Sequence, residues 1–186
     1  MEITKTLYVT SRAAWRTWLE ENYKRETEIW LVGYRKEAGQ PNLPYNIAVE
    51  EALCFGWIDS IRKNLDSERY AQRFSPRKPG REYSQTNKER LKKLIEQGKV
   101  LPDILETIDR HEIEAFEFPA DILAALQANQ KAWENFQKYS GEYQRIRVAY
   151  IEARRDRPEE FEKRLEHLIH MTEQDKQFGY DIDSYY

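Results

Sequence analysis

One cysteine in 186 residues removes intrachain disulfides from the account. Cys54 lies between Leu53 and Phe55 in an apolar run with no histidine near it in sequence, so it reads as a small buried hydrophobe rather than a nucleophile. Histidine is scarce too. His167 and His170 stand at i, i+3 without an evident third ligand, and His111 is isolated in a polar stretch, so no metal is expected. No run approaches the roughly 18 apolar residues of a spanning helix, and the start, MEITKTLYVTSR, lacks the apolar core of a secretory leader. The expectation is a cytoplasmic protein with no membrane insertion. G-x-x-x-x-G-K-[ST], G-x-G-x-x-G and G-x-S-x-G are all missing, which leaves the nucleotide folds and the hydrolase route without support and implies no cofactor.

What is present is a core-forming composition. Hydrophobic residues make up 40% and aromatics 13%, enough for a packed interior, while 34% charged residues favour exposed amphipathic helices. The net charge of −3 argues against general nucleic-acid binding, but it averages over an asymmetry. Residues 73–93 carry eight Lys/Arg against two Glu, a net of +6, leaving −9 for the remainder. Such an island attracts a small anion, or it simply solvates an exposed helix after Asn87.

Periodicity sets the layout. Ser11 is placed to cap a helix with Trp15, Trp18 and Leu19 on one face, ending near Asn22. Residues 27–35 alternate as a strand, and residues 7–9 offer an edge strand. Asn46 is read as the cap of a second helix, closed by Gly56, and residues 57–64 and 70–75 as a hairpin with its turn at residues 66–68. Ser84 starts a third helix with Leu91 and Leu94 on its core face. Ile122 and Leu126, Trp133 and Phe136, Tyr143 and Ile146, and Leu165 and Leu168 then mark successive helical stripes, with Ser140 as a cap. The predicted class is α+β, a small antiparallel or mixed sheet with packed helices followed by an all-helical C-terminal part. Its expected divisions are a core at 1–100, a connector at 101–118, helices at 119–172 and a tail at 173–186.

Polar residues of defined geometry gather in residues 52–90, among positions that should be buried: ALCFGWIDS, YAQRFSPRKPG and SQTNKER. If Leu65 faces Arg69 across the turn, Asp59 faces Ser75, with Arg73 diagonal on the same face. A slip of one residue sets Asp59 against Phe74 instead. Asp59 and Arg73 then form either an ion pair that fixes the hairpin or the lining of a pocket. Ser84, Asn87, Leu91 and Leu94 share a helix face, so Ser84 and Asn87 are expected to point inward just after the loop of Arg77, Lys78 and Arg81. They either cap the helix and anchor the loop, or help its N-terminus hold an anion. Glu50 and Glu51, like Glu159 and Glu160, are adjacent and expected to face solvent. The candidate ligand-binding set is Trp57, Asp59, Arg73, Ser75, Arg77, Lys78, Ser84 and Asn87.

GWID followed by RFSPRK, with the S-x-x-N of Ser84 and Asn87, resembles the signature of the YdeI/OmpD-associated (OmdA, bacteriocin-protection) family. The likeness is close over residues 43–98 and returns more weakly over 119–168. Tyr83 stands where the family pattern has Trp, and ARRDRPEEFEKR at residues 153–164 replaces a Lys/Thr/Arg-rich run. The resemblance implies a bacterial protein of stress or antimicrobial-peptide resistance, associated with an outer-membrane porin, with no established reaction. Three readings follow. The first is a non-enzymatic binding module of that type. The second is an enzyme on a small anionic substrate, with Asp59 as general base. The third, disfavoured by net charge, is nucleic-acid binding through residues 73–93.

Overall fold

Four strands, β1 (Thr6–Leu7), β2 (Ile29–Tyr34), β3 (Trp57–Asn64) and β4 (Arg69–Pro76), form one sheet in the order β1-β2-β4-β3 in a computed structural model that describes residues 2–179. β1 runs parallel to β2, and the other two pairings are antiparallel, so the sheet is mixed. The fold class is α+β with a helical C-terminal part. The end of the tail, from residue 180, lies outside the described residues. No helix among the described residues is long and apolar enough to cross a membrane.

The chain divides into two units, Met1–Glu82 with Arg90–Arg110 and Tyr83–Glu89 with His111–Tyr186. In the first, α1 (Arg12–Asn22) and α2 (Tyr45–Cys54) pack together. Ser11 caps α1 by accepting the Ala14 N–H at 3.2 Å, and the Trp15 indole donates to the Ala48 carbonyl at 2.9 Å. Trp15 meets Phe74 edge-on at 5.5 Å and stacks on Trp18, which in turn meets Trp57 edge-on. Trp15, Leu19, Ile29, Val49, Phe55, Trp57 and Phe74 are essentially inaccessible to solvent. Each such side chain stabilises the fold by about 1.5–3 kcal/mol. Gly56, at φ +70, turns α2 into β3 in the left-handed region that a Cβ disfavours.

The second unit is a helical cluster: α6 (Ala120–Gln127), α7 (Gln130–Phe136), α8 (Gly141–Glu152) and α9 (Pro158–Glu173). Ser140 caps α8 through the Tyr143 N–H. The helical stripes converge on a core of Ile122, Leu126, Phe136, Tyr143, Val148, Ile151, Leu165 and Leu168. Between the sheet and this cluster along the chain come α3 (Gln85–Glu96), α4 (Pro102–Leu105) and α5 (Arg110–Glu114). α3 contributes its first residues, up to Glu89, to the second unit and the rest to the first.

Candidate functional site

The β3–β4 hairpin carries most of the candidate residues, and its register decides what they meet. At the turn, Asp66 Oδ1 accepts the N–H groups of Glu68 and Arg69 at 2.9 and 2.7 Å, a side chain substituting for backbone in a tight bend. The Arg69 guanidinium, bonded to the other carboxylate oxygen, is the chief reason Asp66 is held below the usual carboxylate range. Leu65 donates to Arg69, and Asn64 pairs with Tyr70 and Arg62 with Gln72, the register expected from the turn. Beyond Arg62 the register slips, and Asp59 pairs with Phe74 and Ile58 with Ser75. A bulge causes the slip: Ser60 and Ile61 together oppose the single residue Arg73. Gln72, itself buried, turns its amide to the carbonyls of Ser60 and Ile61 at 3.2 and 3.4 Å, satisfying acceptors that the bulge removes from the ladder.

The bulge separates the residues expected to pair. Asp59 shares the face of Trp57 and Phe74, where it accepts the Tyr45 hydroxyl at 2.6 Å. Arg73 and Ser75 lie on the opposite face. There Arg73 Nε donates to Glu28 at 2.7 Å, and its Nη1 reaches Ser60 and Ser75 hydroxyls at 3.3 Å. The Arg73–Glu28 side chains are only 18% and 17% exposed. Glu28 is held below the ordinary carboxylate range by the Thr4 hydroxyl first and by Arg73 next. Asp59 and Arg73 therefore have different partners, Tyr45 and Glu28. Glu28 was hidden from sequence reasoning because its role depends on β2 pairing with β4 (Trp30 opposite Arg73), which no local pattern reveals.

The remaining candidates divide. Trp57 is buried in the core, its indole N–H donating to the Tyr23 carbonyl at 3.2 Å, so it supports the hairpin rather than presenting itself. Arg77 is half-buried and extends the ladder through its N–H to the Gly56 carbonyl; Lys78 is exposed. Ser84 is exposed rather than inward-pointing, and its hydroxyl accepts the Asn87 N–H at 3.3 Å as a helix cap does. Asn87 is half-buried. Ser84 and Asn87 belong to the second unit, the other six candidates to the first.

Several charged residues expected in solvent are interior. Glu50 and Glu51 are 1% and 2% exposed. Arg12 binds both, at 2.8 and 3.0 Å, and Arg16 adds a bond to Glu51 at 2.9 Å, so two carboxylates of α2 are neutralised by two guanidinium groups of α1. Adjacent helix positions point apart, but the arc that α1 covers is wide enough to take both. Asn46 is not a cap: it is buried inside α2, and its carbonyl oxygen accepts from the buried Arg90 at 2.7 Å. Pro44 holds the capping position. Glu89, also buried, takes a two-pronged bond from Arg145. Glu89 and Arg90 are thus withdrawn from the surface that the 73–93 island was expected to present. Burial pushes the Cys54 thiol up to about 12, with the Glu51 charge adding to it, which leaves the sulfur protonated and unreactive. Among the described residues no group of three or more His, Cys, Asp or Glu is placed to hold a metal.

Residues 7–107, more than half of the chain, match the family described as Domain of unknown function (DUF8412). The chain belongs to this family. The hairpin, its bulge and the Arg12/Arg16–Glu50/Glu51 cluster all fall inside the DUF8412 match. Residues 115–175 match a second family, described as Bacteriocin-protection, YdeI or OmpD-Associated (OmdA). The OmdA likeness is thereby placed in α6 to α9, where the sequence shows it more weakly, while GWID and RFSPRK lie in the DUF8412 part. No curated protein and no solved structure matches the chain.

Proposed function

We propose that this protein is a non-enzymatic binding module of the YdeI/OmpD-associated type, contributing to resistance against bacteriocins or cationic antimicrobial peptides. The observation that carries the reading is the match of residues 115–175 to the OmdA family. The state of the hairpin supports binding over catalysis. Asp59, the candidate base, is engaged by Tyr45, and Arg73, the candidate anion holder, is neutralised by Glu28. A general base must reach the proton it removes, and fixed pairs of this kind serve recognition of a surface more readily than turnover. The contact surface in this reading is the free edge of the bulged strand β3, with Asp59, the exposed Ile61 and Tyr45 and, beyond β4, Arg77 and Lys78; Ser75 lies on the other face of the sheet. Ser84 and Asn87 enter it separately, as a polar patch of the second unit. The partner is a protein and the compartment is the cytoplasm, so the association with an outer-membrane porin is proposed as an indirect one.

The test is survival. The full chain is expressed in a bacterial host lacking it, and the cells are challenged with polymyxin B and with a pore-forming colicin. Raised survival against either is the expected result. Unchanged survival against both refutes the reading. Fractionation of the tagged chain decides the compartment.

A further inference from the structure

Two arginines come together at the turn end of the β3–β4 hairpin, the end opposite Arg77 and Lys78. The register brings them there. Tyr70 of β4 pairs with Gly33 on one side and with Asn64 on the other, so all three share one face of the sheet. Arg62, two residues before Asn64 on β3, shares that face. Arg35, two residues after Gly33, joins it, its N–H extending the ladder to the Glu68 carbonyl at 2.7 Å. Neither the hairpin reading nor the family descriptions assign this end anything.

Each guanidinium is held by an uncharged neighbour. The Arg62 guanidinium carbon lies over the Tyr70 ring, 3.4 Å from its centroid, a cation–π contact. Gly33 makes room for that ring: a Cβ there would collide with it, so the ring lies over bare backbone. Arg35 Nη2 donates to Asn64 Oδ1 at 2.9 Å, which leaves the Asn64 amide nitrogen as a further donor. Among the described residues neither guanidinium meets a carboxylate. Asp66 of the turn is bonded by Arg69, and Glu37 and Glu68, the other acids of this end, are exposed.

An ordinary surface arginine gives up side-chain freedom when it binds a ligand; these two are oriented beforehand by the Tyr70 ring and the Asn64 amide, which lowers that cost. Two fixed positive charges match the roughly −1.5 to −2 of a phosphate monoester. Their forks and the Asn64 amide also offer more donors than the two oxygens of a carboxylate accept.

We infer that this end of the hairpin binds a phosphate group, free or as a monoester, between Arg35 and Arg62, with Asn64 as a third donor. The inference rests on the first unit alone and stands if the resistance reading fails.

The probes are inorganic phosphate and methyl phosphate, titrated into the nitrogen-labelled full-length chain and followed by NMR, with acetate at equal ionic strength as the control. The Arg35 Nε–H is buried, which slows its exchange and makes its signal a usable reporter. Saturable shifts are expected there, at the Arg62 Nε–H and at the Asn64 side-chain amide. Acetate should bind at least about tenfold more weakly, since it brings about half the charge. Arg62→Gln and Arg35→Gln should each weaken phosphate by about tenfold or more. Arg62→Lys, which keeps the charge but not the planar fork, should weaken it as well. Equal affinity for the two phosphates places the ester carbon in solvent, and a preference for the inorganic ion assigns the site to free phosphate; both uphold the inference. Absence of saturable shifts at millimolar phosphate overturns it. So does equal binding of acetate, which would reduce the pair to screened surface charge. An unchanged affinity in both glutamine variants, with the wild-type spectrum otherwise preserved, overturns it too.

Discussion

Replacing Arg12 by Met should destabilise the first unit more than replacing Glu50 by Gln, although the two residues share one bond. The asymmetry follows from exposure. The Glu50 side chain is 2% exposed and Arg12 is its one ion-pair partner among the described residues, whereas the Arg12 side chain is 35% exposed and also bonds Glu51. Arg12→Met strands a carboxylate in the interior. Removing one member of a fully buried pair costs about 3–5 kcal/mol; with Arg12 one-third in water, the expected loss is about 2–4 kcal/mol. Glu50→Gln keeps the volume and an acceptor oxygen, and leaves an arginine that water and Glu51 still satisfy, so about 0.5–1.5 kcal/mol is expected. Urea denaturation followed by tryptophan fluorescence suits the question, because Trp15, Trp18, Trp30 and Trp57 all lie in the first unit and only Trp133 in the second. With a slope of roughly 1–3 kcal/mol/M in urea, Arg12→Met should lower the midpoint by about 1 M or more. If Glu50→Gln costs as much as Arg12→Met, the cluster is not organised around its buried carboxylates and the argument fails.

Cys54 should be inert to a disulfide reagent at about pH 8 in the native chain and react fully once unfolded; its raised folded value also means that its contribution to stability is complete below the unfolded value of about 8.5 and declines as pH rises from there toward about 12. Glu28 has the opposite sign. Its folded value is depressed, so its contribution is present above the unfolded value of about 4.3 and disappears as pH falls through the lower folded value, and Glu28→Gln should flatten that acid limb in urea midpoints. Gly56→Ala should cost about 1–2 kcal/mol in backbone strain plus the close approach of the new Cβ to Ile104 Cδ1 at 3.0 Å, whereas Gly39→Ala, at φ +63 with nothing within 4 Å, should cost the strain alone. Equal losses at the two glycines would remove Ile104 from the explanation.

Local chemistry was legible where the chain answers to itself. Ser11, Ser84 and Ser140 cap as their positions announce, Gly56 takes positive φ, and Asp66 organises the turn, because each involves residues within a few positions of one another. The core stripes were legible for the same reason, since period alone assigns Leu165 and Leu168 to one face. Partner choice for charged groups was not. Glu28 with Arg73, Glu50 with Arg12, Asn46 with Arg90 and Glu89 with Arg145 are separated by 45, 38, 44 and 56 residues. In each case a polar or charged group reads as surface because its partner is remote, and the rule that such groups face water fails once a partner is packed against them.

The hairpin shows how one residue can reassign a site. From the turn to Arg62 the pairing follows the register the sequence implies, so composition and turn chemistry placed the strands properly. The additional residue at Ser60–Ile61 then transfers Asp59 to the core face and leaves Arg73 on the other, because side chains alternate with a period of two. A bulge on an edge strand also interrupts the row of free backbone groups that would otherwise pair with another chain. Gln72 pins it by bonding both bulge carbonyls, which makes the displacement a built feature and not a loose end. The same residue that separates Asp59 from Arg73 therefore frees each to find a fixed partner, Tyr45 and Glu28. It converts what would have been a single ionised pair at a pocket floor into two faces that are each neutral or hydroxyl-bonded.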